Sequence, residues 1–260
     1  MGEKMLIETN KLSFDDIEKL VKGNVLAIRF KQFVNEEVGG KLAGKILRQG
    51  FDKYLNAPGI GRIGMAFYEA ENHPPRISDY FESVFQNIEE LRQRCMPYVS
   101  PIDLLRCKLD EVWPAGAQLE TLYGRKMYVE LSRVVRPGVT FLAHRDIFSK
   151  DAPDCFQAHS LQAQLAANVY LSMPSEGGAL QIWDRELSPT EFDEMRGDRY
   201  GIDPAMLGAP ILEVRPDAGD LVLFNSRCMH AVTVGADDIR LSLSCFVGYR
   251  GPAAPLSFWS

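Results

Sequence analysis

The sequence predicts an α+β fold in which helices come first and a strand-rich sandwich or barrel follows. Three observations carry this reading. Apolar residues recur at helical spacing in the front part of the chain. Short, branched runs separated by turns fill the rest. No linker, low-complexity stretch or internal repeat divides the 260 residues. One domain is therefore expected over 1–260, with a mainly helical part over 1–120, a strand core over 121–250 and a tail over 251–260.

Ser13 is placed to cap a helix through Phe14 to Val21, with Asp15 and Asp16 in the first turn and Lys19 later. Asn24 to Phe30 is rich in branched residues and reads as a strand. Asn35 to Leu47 reads as a second helix despite Gly39 and Gly40. Ser78 opens a third, in which Phe81, Val84, Phe85, Ile88 and Leu91 form a stripe suited to packing on a sheet, and Pro74-Pro75 is read as cutting the preceding run short. Pro101 starts a fourth helix that runs to Trp113 and ends at Pro114-Ala115-Gly116. Strands are then expected at Met127 to Val135, Thr140 to His144, Leu165 to Ser172, Ala179 to Trp183, Leu212 to Val214, Leu221 to Phe224, His230 to Val234 and Arg240 to Tyr249. Residues 188 to 209 read as a charged, partly helical insertion between strands.

The composition excludes several classes of function. Net charge is −6 and no run of Lys and Arg is present, so a nucleic-acid partner is not expected. No stretch is long and apolar enough for a membrane span. Met1-Gly2-Glu3-Lys4-Met5 has no apolar leader core, and the five cysteines (Cys95, Cys107, Cys155, Cys228 and Cys245) include no C-x-x-C, which together point to a reducing cytoplasm. Cys228 and Cys245 lie in apolar runs and read as small buried hydrophobes.

Gly59-Ile60-Gly61-Arg62-Ile63-Gly64 matches the dinucleotide fingerprint in spacing but not in setting. A turn at Asn56-Ala57-Pro58 precedes it where the motif needs a strand, and no long helix is expected to follow. A nicotinamide or flavin site is therefore not read here.

The chemistry concentrates in His144-Arg145-Asp146, His230 and Arg240. Two imidazoles and one carboxylate on one side of a metal leave the opposite side open, which is the facial arrangement of non-haem iron(II) oxygenases. His144 is expected to end a strand and Asp146 to lie in the turn after it, so both can point to one ion. Arg240 offers a planar fork that grips a carboxylate with two charge-assisted hydrogen bonds. Taken singly, a His-x-Asp pair, a buried His and an exposed Arg are all commonplace; it is their order within strand-like settings that singles them out. The other two of the four histidines, His73 and His159, have no such setting and read as surface residues.

Gly219-Asp220-Leu221-Val222-Leu223-Phe224-Asn225, followed by His230 and by Arg240-Leu241-Ser242, resembles the C-terminal core of iron(II)/2-oxoglutarate-dependent oxygenases. So does the glycine hairpin Glu176-Gly177-Gly178-Ala179-Leu180. The resemblance covers roughly residues 125 to 250. Within that superfamily the chain resembles a small-molecule branch of amino-acid hydroxylases and carrier-independent aliphatic halogenases, through Asp79-Tyr80-Phe81 and the terminal Ser257-Phe258-Trp259-Ser260. The resemblance implies a double-stranded β-helix (a cupin-like jelly roll) with N-terminal helices packed on the sheet. It implies iron(II) held by His144, Asp146 and His230, with 2-oxoglutarate and dioxygen as co-substrates. Arg240 would then bind the far carboxylate of 2-oxoglutarate, and Ser242, two residues on along the strand, would face the same way and add a hydroxyl. In the halogenases a small residue replaces the carboxylate ligand. This chain keeps Asp146, which argues for hydroxylation of an unactivated C–H bond, in a free or N-substituted amino acid.

Substrate contacts are less determined by the sequence. Arg133, among apolar neighbours, could meet a substrate carboxylate or could run its stem along the core to solvent. Tyr128 and Glu130 share the opposite alternation, so at most one set faces inward. Trp183 could line the pocket or pack in the core, and Trp259 could fold over the mouth. Gln164 and Asn168 could assist the co-substrate. Two further readings remain open at this point: the same cofactors driving desaturation or cyclisation, and a non-catalytic metal-binding jelly roll, against which Arg240 and Ser242 argue.

Overall fold

The structure is a computed structural model that describes residues 5–54, 59–71, 73–185 and 187–260. The turn read at Asn56-Ala57-Pro58 lies outside the described residues, as do Met1 to Lys4. In chain order the strands are β1 (Leu6–Thr9), β2 (Ala27–Phe30), β3 (Asp52–Lys53), β4 (Ile60–Ile63), β5 (Ala117–Leu119), β6 (Thr121–Leu122), β7 (Arg125–Lys126) and β8 (Leu131–Val135). They continue with β9 (Phe141–His144), β10 (Ala163–Ser172), β11 (Leu180–Trp183), β12 (Leu212–Val214), β13 (Leu221–Asn225), β14 (Met229–Val232), β15 (Arg240–Tyr249) and β16 (Leu256–Trp259). The helices are α1 (Phe14–Val21), α2 (Glu36–Arg48), α3 (Pro74–Cys95), α4 (Pro101–Val112), and the shorter α5 (Phe148–Asp151), α6 (Phe156–His159) and α7 (Pro189–Arg196).

Two sheets make the jelly roll. The larger runs β1-β2-β13-β10-β15-β8-β4-β3, with β16 added beside β15 and β5 beside β16. The smaller runs β12-β11-β14-β9. Period-two alternation on β10 and β15 divides the larger sheet into two chemically distinct faces. Leu165, Ala167 and Val169 lie opposite Val247, Cys245 and Leu243, and all six are buried in the main core with Ile17 and Leu20 of α1, Leu42 and Ile46 of α2, and Leu105 of α4. Asn168 and Tyr170 lie opposite Ser244 and Ser242 on the other face, and Phe224 of β13, on that same face, meets the His230 ring of the smaller sheet at 4.9 Å. The polar face is therefore the one turned toward the smaller sheet, and the apolar face carries the helices.

The helix signals read from the sequence recur as cap geometry. Ser13 Oγ accepts from Asp16 N at 3.2 Å, Asn35 Oδ1 from Glu37 N at 3.0 Å, and Ser100 Oγ from Ile102 N at 3.3 Å. Several expectations are corrected. Helix α3 begins at Pro74, not Ser78. Pro74 and Pro75 occupy the first turn, where a fixed φ helps and no N–H is needed, so they start the helix instead of stopping the run. Phe85 is 71% exposed, because the buried stripe runs through Phe81, Val84, Ile88 and Leu91 and leaves Phe85 to one side. The strand expected from Met127 begins only at Leu131, after Glu130 takes φ +106° and breaks the ladder. The front part of the chain is less helical than expected, since β1, β2, β3 and β4 all join the larger sheet. The tail is no tail: Phe246, Val247 and Gly248 pair with Trp259, Phe258 and Ser257, and Trp259 is buried, stacked on Phe148 at 4.4 Å. It forms sheet and core and does not cover a mouth.

Gly61 lies in β4 opposite Val134, and a Cβ there would sit 2.1 Å from the Phe51 ring, so this glycine of the G-x-G-x-x-G run serves close packing within the sheet. Cys95, Cys155, Cys228 and Cys245 are buried, and none of the five cysteines forms a disulfide. Among the described residues no helix is long and apolar enough to cross a membrane.

The glycine hairpin before β11 has a steric basis. Gly177 takes φ +76°, and a Cβ added there would lie 1.9 Å from the Val234 carbonyl oxygen. Gly177→Ala should lower stability by roughly 2–5 kcal/mol, combining left-handed strain with overpacking. Urea unfolding followed by circular dichroism checks this, with the midpoint falling at unchanged slope.

Candidate active site

The ligand set is assembled by strand register. His230 of β14 lies directly opposite His144 of β9, and antiparallel partners project to the same face. Their rings are 4.3 Å apart between centroids. Asp146 follows in the turn after β9, held by its backbone N–H, which donates to the Ser226 carbonyl at 2.9 Å. One ligand atom from each of His144, Asp146 and His230 lies within 4.8 Å of the other two, and Asp146 Oδ2 is 3.5 Å from His230 Nε2.

The ring nitrogens are sorted by what they touch. His144 Nδ1 is 2.9 Å from the Leu142 carbonyl and His230 Nδ1 is 3.0 Å from that of Cys228. A carbonyl only accepts, so both Nδ1 atoms carry a proton, which leaves Nε2 of each ring as the atom available to a metal. This is the outer support that a metal-ligating imidazole needs. Burial, reinforced by the His144 charge, pulls the His230 pKa down to about 4 against the pull of Asp146, so the imidazole is neutral at pH 7. Asp146 Oδ2 is buried with no hydrogen-bond partner. Two imidazole nitrogens and an orphaned carboxylate oxygen close to one another fit a divalent iron ion, for which this mixed donor set is suited.

Two guanidiniums, Arg240 buried and Arg133 part-buried, lie on the polar face of the larger sheet. Arg240 opens β15, and its Nη2 donates to the Tyr170 hydroxyl at 3.3 Å while its Cζ lies 4.9 Å from the Tyr170 ring centre. Its Nε is buried without a partner, and among the described residues it forms no ion pair. Burial lowers its pKa from the usual arginine value despite the Tyr170 hydroxyl. Arg133 of β8 lies opposite Ser242, so the two share a face with Arg240. Arg133 Nε has one long contact, 3.4 Å to the Tyr54 hydroxyl. Leaving a buried cation uncompensated costs several kcal/mol, so each guanidinium marks a place for an anion. Ser242 Oγ lies 3.5 Å from Ser244 Oγ, which donates to Asn168 Oδ1 at 2.6 Å.

A cavity of about 510 Å³ opens beside His144 and Asp146. Tyr54 and Tyr68, stacked at 6.0 Å, form part of its wall together with Phe141, Tyr200 and Arg133. Glu69, Glu71, Arg145, Lys150 and Asp151 supply its charge. Burial, with the Asp146 charge adding to it, pushes the Asp151 carboxyl up to about 8.

Of the residues expected at the site, His144, Asp146 and Arg133 line the cavity, while His230 faces His144 across the smaller sheet and Arg240 and Ser242 lie on the polar face of the larger one. Trp183 joins neither set. Ile182, not Trp183, is the partner of His230 in register, so alternation turns Trp183 to the other face of the smaller sheet. There it packs with Leu187, Phe192, Ile202 and Met229 and donates Nε1–H to the Gly208 carbonyl at 3.0 Å. Gln164 has a structural task, its Oε1 accepting from Phe148 N at 2.9 Å. His73 and His159 are exposed. Sequence reasoning missed Tyr54, Tyr68, Tyr200 and Asp151. Only Asp151 had a local signal, an acid shortly after the ligand pair in the chain.

Residues 129–248 match the model of the 2OG-Fe(II) oxygenase superfamily. A curated relative, the L-gamma-glutamyl-L-propargylglycine hydroxylase of Streptantibioticus cattleyicolor, is 35% identical over 162 residues, 62% of this chain. The match spans 59% of that relative's length. An N-substituted L-amino acid dioxygenase from Burkholderia ambifaria superposes with a TM-score of 0.64 at 18% identity, covering 95% of this chain and 91% of the other. HygX from Streptomyces hygroscopicus, solved with nickel and 2-oxoglutarate, gives 0.52 at 14% identity, over 89% and 86% of the two chains. At these identities the two structures report a shared fold.

The protein is expected to bind one divalent iron per chain, read by anaerobic calorimetry. Asp146→Ala should weaken binding by at least about a hundredfold, since loss of even an outer-shell partner costs about ten- to a hundredfold. In metal-free protein, Asp151→Asn should raise stability. An acid whose folded pKa lies above its unfolded one loses stability as pH rises between the two. The gain should therefore be fullest above pH 8 and absent below pH 4, as thermal unfolding across that range will report.

Proposed function

We propose that this chain, a member of the 2OG-Fe(II) oxygenase superfamily, hydroxylates an unactivated C–H bond of an amino acid that is free or substituted on nitrogen. One observation carries the reading. The smaller sheet carries a metal-ready triad, and the face of the larger sheet turned toward it carries Arg240, a buried guanidinium with no ion pair among the described residues. A bare metal site needs no such guanidinium, whereas a dicarboxylate co-substrate does. The relative that hydroxylates a γ-glutamyl amino acid supports the substrate class. We take the whole of 1–260 as one oxygenase domain, because strands from both ends of the chain share the larger sheet. We place it in the cytoplasm, acting on a small molecule and not on nucleic acid or a membrane, consistent with its five cysteines forming no disulfide and its net charge of −6.

In this reading His144, Asp146 and His230 hold the iron. Bound there with 2-oxoglutarate and dioxygen, iron(II) supplies an oxidant able to break a C–H bond, with succinate and carbon dioxide as by-products. Arg240 fixes the far carboxylate of 2-oxoglutarate, and the Ser242 hydroxyl adds a donor. Retained Asp146 leaves no ligand position for a halide, which favours hydroxylation. Arg133 takes the substrate carboxylate and thereby orients the carbon to be oxidised. Tyr54, Tyr68 and Phe141 wall the cavity and limit water beside the reacting centre.

The test is a panel of free and N-substituted amino acids incubated with iron(II), 2-oxoglutarate and oxygen. Substrate-dependent succinate release with a mass gain of one oxygen is expected. Succinate release without any oxidised product from any member of the panel would contradict the substrate class. Arg240→Ala should raise the KM for 2-oxoglutarate by about thirtyfold or more, the effect of losing a desolvated charge pair. Arg133→Ala should instead raise the KM for the amino-acid substrate and leave that for 2-oxoglutarate unchanged, which steady-state kinetics will separate.

A further inference from the structure

We propose that Asp151 is the counter-charge for a primary ammonium group on the substrate, so that the preferred substrates carry a free amine as well as a carboxylate. This deepens the oxygenase reading and rests on it. Asp151 closes the short helix α5, one turn past Asp146, and lines the cavity beside Asp146, Ile147 and Lys150. The other acids of the cavity wall have partners. Glu69 accepts from Arg62 at 2.7 Å, Glu71 from Arg76 at 2.8 Å, and Asp146 belongs to the metal triad. Asp151 differs from all three: among the described residues its carboxylate makes no hydrogen bond and no ion pair.

Three physical arguments follow. A half-buried carboxylate without a partner is a destabilising element, and burial already disfavours its charged form. It also closes a helix of a single turn, whose end supplies its carboxylate no hydrogen bond among the described residues. Lys150, its chain neighbour, is exposed and lies 5.7 Å from the Phe192 ring, so it does not neutralise Asp151 through a direct contact. A primary ammonium brings three donors and a full positive charge, and would meet all of these deficits at once. Arg133, part-buried in the wall of the same cavity, has a single long contact to the Tyr54 hydroxyl and no ion pair among the described residues. A molecule with a carboxylate at one end and an ammonium at the other is complementary to both. The ammonium can be the α-amine of a free amino acid or the amine of a substituent such as γ-glutamyl. An N-acyl group without an amine leaves Asp151 unmatched.

The test compares ligands that differ only in that amine. Protein loaded anaerobically with iron(II) and 2-oxoglutarate is titrated calorimetrically with a set of γ-glutamyl amino acids, with their N-glutaryl counterparts, and with the free amino acids. The wild type should bind at least one amine-bearing form about tenfold or more tightly than its N-glutaryl counterpart, the smallest preference expected of a desolvated charge pair. Which amine-bearing form binds identifies the source of the ammonium. Asp151→Asn should erase the preference, and Asp151→Glu should restore part of it, while both keep wild-type affinity for iron and 2-oxoglutarate. Equal binding of N-glutaryl and γ-glutamyl forms by the wild type would overturn the proposal. So would a preference that survives in Asp151→Asn, or a failure of every amine-bearing form to bind. Succinate release is read on the same samples. Its absence in the wild type contradicts the oxygenase reading alone, because the amine preference is decided by binding.

Discussion

The site depends on one antiparallel register, that of β14 against β9. It places His230 opposite His144, and a slip of a single residue would turn one imidazole to the far side of the sheet. The rest of the site follows from that pairing. The turn after β9 is pinned through Asp146 N to Ser226, and Ser226 N donates in turn to Gln164 of β10. Gln164 also fixes Phe148 through its side chain, so both sheets and α5 are tied at the point where the ligands meet. Backbone hydrogen bonds, and not the ligands' own side chains, set the geometry.

A second constraint concerns unpaired charge. Folded proteins seldom leave buried polar atoms without partners, yet several stand together here: Asp146 Oδ2, Arg240 Nε and the near-partnerless Arg133 guanidinium. Among the described residues Glu130 Oε1 and Arg227 Nε are orphaned as well. The first three persist where a ligand completes them, and their signs describe it. The carboxylate and imidazoles ask for a cation, and the two guanidiniums ask for two anions. A metal, a dicarboxylate co-substrate and an acidic substrate meet those demands without an added assumption. Asp151 then asks for one more cation.

Much of this was legible in the sequence, and the exceptions have a common cause. Caps at Ser13, Asn35 and Ser100 are local chemistry, and the Arg240–Tyr249 strand is a long branched run bounded by polar residues. The triad was legible because its residue types are rare and its order is informative. Trp183 was misplaced because its face depends on cross-strand register, which a single strand does not encode. The terminal strand was hidden because its pairing partner, Phe246 to Gly248, lies in a strand already assigned to other neighbours. Tyr54 and Tyr68 reach the cavity from outside the strand core, so no motif spacing announced them.

The most direct test of the central claim is a crystal structure of the protein grown without oxygen in the presence of iron(II) and 2-oxoglutarate. The account predicts metal bound through Nε2 of His144, Nε2 of His230 and the Asp146 carboxylate, with the far carboxylate of 2-oxoglutarate on Arg240 and Arg133 left for the substrate. Metal bound elsewhere, or 2-oxoglutarate seated on Arg133 with Arg240 untouched, would contradict it.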